Sequence, residues 1–84
     1  MFTLPLSALE CREIRFQAAW LAYLWARAAA ADVERHIALL RVEQWGSFMD
    51  RQRFHVRHWS ELAAAQRELH LLGVEQQLWQ QRAW

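Results

Sequence analysis

Alternating steps of three and four from Phe16 reach Ala19, Tyr23, Ala26, Ala30, Val33, Ile37 and Leu40, all of them apolar. A seam with that 3.5-residue period marks a helix packed lengthwise on another helix. Leu21, Leu24, Trp25 and Ala28 add a second apolar flank, so the first half of this helix should meet more than one neighbour. Ser7 with Glu10 matches a capping box, which places the helix start there. Trp45-Gly46-Ser47 is the clearest interior boundary, because glycine suits the left-handed residue that closes a helix. Ser47 with Asp50 resembles a second, weaker capping box. Beyond it a second seam runs through Leu62, Ala65, Leu69, Leu72, Gln76 and Trp79, with Leu71, Val74 and Leu78 beside it.

The pattern predicts an all-α chain with a single domain over residues 1–84. Helix one covers about 8–45, a turn covers 46–47, and helix two covers about 48–83. Gly73 is kept inside helix two, where it costs about 1 kcal/mol against alanine. Helices of roughly 35–38 residues span about 55 Å at 1.5 Å per residue. A long antiparallel helical hairpin of that length has one internal interface and leaves its outer flanks wet. Two hairpins dimerising into a four-helix bundle would cover them. The expected core and dimer seam is Phe16, Tyr23, Val33, Ile37, Leu40, Leu62, Leu69, Leu72 and Trp79. An echo between Leu39-Leu40-Arg41-Val42-Glu43-Gln44 and Leu71-Leu72-Gly73-Val74-Glu75-Gln76 fades outside those stretches and supports no repeat architecture.

Composition sharpens this picture at one point. Six Trp, four Phe and one Tyr are heavy for 84 residues. A small chain struggles to bury so many rings by itself. Some should face a second copy or a different partner. The formal charge of +1 offers no bulk attraction for nucleic acid or membrane. All ten basic residues are Arg and they are scattered, as GC-rich codon usage would produce. The longest apolar run, Ala18 to Ala26, is far short of the ~20 residues of a membrane span. Met1 to Glu10 lacks the basic start of a signal peptide. A single cysteine, Cys11, excludes an intrachain disulfide framework, and a cytoplasmic location is expected.

Candidate chemistry is sparse. His55 and His58 stand three apart and share a helical face, but lack a third ligand at a supporting spacing. The Glu-x-x-His pairs of di-iron bundles are absent. A metal or haem carrier using those histidines is therefore only a second alternative, and no cofactor is expected. Three hydroxyl residues, Thr3, Ser7 and Ser47, support no Ser-His-Asp arrangement, and there is no glycine-rich phosphate loop. The chain is expected not to be an enzyme. Arg51, Arg53 and Arg57, interleaved with His55, His58, Phe54 and Trp59, could serve a nucleic-acid-binding regulator, with Asp50 and Glu61 diluting the patch.

The favoured expectation is a small non-enzymatic protein–protein interaction module of adaptor, chaperone or phage- or mobile-element-encoded inhibitor type, the last in keeping with GC-rich, bacterial-looking usage. Arg and aromatic side chains dominate binding hot spots. The candidate partner surface is Trp45, Phe48, Arg51, Phe54, Trp59 and Trp84.

Overall fold

The computed structural model describes residues 6–51 and 53–80. Trp84, in the expected partner surface, lies outside them. Four helices make up the described chain: α1 (Ala8–Ala30), α2 (Arg35–Met49), α3 (His58–Leu72) and α4 (Val74–Gln80).

The start of α1 follows from its sequence. Ser7 Oγ accepts from the Glu10 backbone N–H at 3.1 Å, and Glu10 Oε1 accepts from the Ser7 N–H at 3.1 Å. Each side chain thus satisfies a backbone donor that a helix start leaves unpaired.

The end of α1 departs from expectation, for helix one is not continuous to residue 45. Asp32 takes a left-handed φ of 57°. The Val33 N–H donates to Ala28 O at 2.8 Å and the Asp32 N–H to Ala29 O at 3.2 Å. That pair of bonds is the Schellman closure, here built on aspartate instead of glycine. Val33 is buried against the same core as Ala28, supplying the apolar contact that accompanies the motif. Glu34, also left-handed at φ 47°, then caps α2, and Ala38 N–H donates to Glu34 O at 2.8 Å. The chain reverses over four residues.

The other boundaries shift as well. Gly46 and Ser47 are not a turn but lie inside α2, which runs on to Met49. The crossing to α3 includes residues 51 and 53–57 instead. Gly73, at φ 64°, closes α3 and separates it from α4, so helix two is not continuous either.

These breaks replace two long rods with four shorter helices. α2 folds back along α1, and the chain after it returns to the first turns of α1, where Arg15 Nη2 donates to Arg51 O at 3.3 Å. From there α3 and α4 run beside α1 in its own direction. Gln66 Nε2 reaches Gln17 Oε1 at 3.1 Å, and Leu78 and Trp79 border Trp20 and Leu24. α1 is the hub that touches all three other helices. The molecule measures 49 × 22 × 20 Å. Arg41 fastens α2 to α3 by a two-pronged pair with Glu68, at 2.8 and 2.9 Å.

The buried line on α1 is Ile14, Ala18, Leu21, Trp25 and Ala28. It packs on Ala38, Trp45 and Phe48 of α2, Leu62, Ala65 and Leu69 of α3, and Val74 and Leu78 of α4. Of the expected seam, Val33, Leu62 and Leu69 are in this core, and Ile37 and Leu72 pack partly buried against it. Phe16, Tyr23, Leu40 and Trp79 are exposed and are not core. Two residues along a helix turn through about 200°, so the buried line through Ile14 and Ala18 lies nearly opposite Phe16. α1 is apolar on both faces, and the flank that seemed secondary is the one that points inward.

Candidate interaction surface

The expected partner surface splits into a buried part and an exposed part. Trp45 and Phe48 are buried, and their rings meet edge to face at 5.1 Å. They are core side chains, not a free surface, because α2 continues through Gly46 and turns both inward. Phe54 stacks on Phe48 at 5.3 Å, and Arg15 lies over Phe54 at 5.0 Å. Arg51 lies over the Phe48 ring at 5.4 Å. Trp59 is half-buried. Trp45, Phe48, Phe54, Arg51 and Arg15 are thus brought together as an aromatic knot that holds the α2–α3 crossing against α1.

His58 sits in that knot, buried, with the Phe48 ring edge-on at 5.0 Å. Its Nδ1 accepts from the His55 N–H at 2.8 Å. A neutral ring accepting at Nδ1 carries its proton on Nε2. The Arg51 guanidinium, 3.3 Å from Nε2, then faces a donor and opposes a second proton. Burial lowers the His58 pKa from its ordinary value; Glu61 raises it, while Arg51, Arg57 and His55 push it further down. His55 Nδ1 accepts from the Arg57 N–H at 3.2 Å, so both Nδ1 atoms serve the backbone turn. Among the described residues no three His, Cys, Asp or Glu side chains gather as a metal site requires.

The exposed aromatic surface lies elsewhere. Phe16, Trp20 and Tyr23 project from the outer face of α1. Trp20 and Tyr23 stack at 5.6 Å with 29° between their planes. Arg27 Nη1 donates to Tyr23 Oη at 2.7 Å, and its guanidinium lies 5.6 Å from the ring centre. Where α4 comes alongside, Trp20, Leu24, Arg27, Glu75, Leu78 and Trp79 border a groove of about 280 Å³. Sequence reasoning assigned Phe16, Tyr23 and Trp79 to a seam and left Trp20 out. The signal for Trp20 was its spacing of four from Phe16 and three from Tyr23.

Fold and surface together define an all-helical domain, built on a central helix with one face buried and the other aromatic and open. Among the described residues no helix is long and apolar enough to cross a membrane. Over residues 1–83 the chain matches the family described as SCD2, C-terminal domain, and it belongs to that family. No curated protein and no solved structure matches it.

Proposed function

We propose that this SCD2 C-terminal domain is a non-enzymatic protein–protein interaction module that binds through an aromatic and arginine surface. One observation carries the proposal: the outer face of α1 presents Phe16, Trp20 and Tyr23 to solvent while the opposite face is buried. Contiguous apolar surface of this kind marks a binding site, and aromatic and Arg side chains supply most of the energy at such sites. Exposed Trp79 of α4 borders the same groove as Trp20 and extends this surface. The lone, partly buried Cys11 fits a reducing, cytoplasmic setting.

A photocrosslinking side chain in place of Phe16, in the full chain expressed in its native cell, tests this. A discrete protein adduct from position 16, absent when the probe replaces exposed Glu43, is the expected result. Equal adducts from both positions, or none from either, would overturn it. Steep salt dependence of retention on a DNA column, lost with Arg53 and Arg57 replaced by Gln, would instead favour a nucleic-acid role.

A further inference from the structure

We infer that the reversal at residues 31–34 is a hinge, and that the chain exchanges α2, α3 and α4 with a second copy when the hinge straightens. In the open form α1 and α2 become one helix over residues 8–49, about 60 Å long at 1.5 Å per residue. Two such helices lie antiparallel, and α1 of each copy packs on α2, α3 and α4 of the other.

The closed reversal is strained. Asp32 and Glu34 both hold a left-handed φ, at 57° and 47°. An L-residue is disfavoured there because its Cβ crowds the following carbonyl oxygen. Glycine would relieve this, yet between Pro5 and Gly46 the chain has neither glycine nor proline. The start of α2 is as poorly specified. Its N-cap residue Glu34 makes no side-chain capping bond, no acidic residue stands in its first turn, and Arg35 occupies the first helical position. A helix start favours a capping oxygen and negative charge, and the dipole opposes a cation there. By contrast, α1 opens on a full capping box. Short hinges under strain invite exchange of elements between copies.

The buried faces fit the open form. From Ile14 the inner line of α1 runs through Ala18, Leu21, Trp25 and Ala28. Further steps of three and four reach Ala31, Arg35, Ala38, Val42 and Trp45. Ala38 and Trp45 are buried residues of α2, and Ala31 and Val42 pack partly buried on the same core. One continuous helix therefore keeps both buried lines on one side, interrupted at Arg35. Contacts between α1 and the later helices form again between copies. Those that lie wholly beyond the hinge, such as Arg41 with Glu68, stay within one chain. The exchange thus rebuilds the same core while releasing the left-handed residues of both copies. The outer face of α1 takes no part, so the inference stands apart from the interaction-module reading.

Refolding the full chain from urea in concentrated solution should yield a monomer and a dimer, separable by size exclusion with light scattering. Gln66 Nε2 donates to Gln17 Oε1 at 3.1 Å, joining α3 to α1 across the hinge. With Gln17→Cys and Gln66→Cys in a Cys11→Ser background, a short bismaleimide should couple the two positions within one chain in the monomer. In the dimer it should couple them between chains, and denaturing electrophoresis separates the two results. Asp32→Ala with Glu34→Ala favours helix over the left-handed turn and should raise the dimer association constant by about tenfold or more. Asp32→Gly with Glu34→Gly should lower it by about tenfold or more. These two pairs, without the added cysteines, carry the test should the crosslinking variant fail to fold. A wild-type chain that stays wholly monomeric, or a dimer whose couplings remain within single chains, would overturn the inference. So would a dimer population that the alanine and glycine pairs leave unchanged or shift the opposite way.

Discussion

Asp32 holds a backbone conformation that L-residues avoid at a cost of roughly 1–2 kcal/mol. Asp32→Gly should therefore stabilise the fold by up to about 1 kcal/mol, because glycine is the favoured residue at a Schellman position. In an unbroken helix the same change would destabilise by roughly 0.3 kcal/mol, since aspartate is itself a poor helix former, so the sign read from urea unfolding reports the break. His58 gives a second test at this scale. Its folded pKa lies below its unfolded value of about 6.5. Below that pH the unfolded chain takes up a proton that the native chain refuses. Stability is therefore complete above the unfolded pKa and falls as pH drops toward the folded one. Unfolding curves measured across this window should show that loss, and His58→Gln should remove this component of it. A wild-type stability that rises as pH falls through the window would contradict the buried neutral ring.

Among the elements, α2 contains the most informative residue. Gly46 lies in the helix interior at no positive φ, and nothing stands within 4 Å of a Cβ added there. Gly46→Ala should raise stability by about 0.8–1 kcal/mol through helix propensity alone, visible as a higher urea midpoint. Had Gly46 closed a helix in the left-handed region, alanine would lower it. The contrast with Gly73 is physical. Both glycines look alike in the sequence, yet only Gly73 has positive φ, and Gly73 N–H donates to His70 O at 3.1 Å as α3 ends. Trp45 and Phe48 change meaning for the same reason: a helix carried through Gly46 brings them onto the face that meets α1.

For the whole molecule, the decisive fact is that a chain with two apolar faces on one helix uses one of them for itself. Trp25→Ala should destabilise by about 3–5 kcal/mol, since a fully buried ring leaves a cavity. Phe16→Ala should change stability by less than about 0.5 kcal/mol, because the ring is exposed. Chemical denaturation of the two variants checks the assignment of faces. Comparable losses would mean that the inward and outward lines had been exchanged.

The helical class and the start of α1 were legible because their causes are local. A 3.5-residue apolar period specifies helix, and Ser7 and Glu10 lie one turn apart and cap each other. The apolar set of α1 was legible too, including both of its faces. Which face turns inward was not, because periodicity is the same for either and burial depends on where α2, α3 and α4 arrive. The reversal at residues 31–34 carries neither glycine nor proline. Two left-handed acidic residues are held there by the packing of Val33 and Ala28 into a core assembled from distant parts of the chain. Tertiary packing decided that reversal, and with it the burial of Trp45 and the exposure of Phe16.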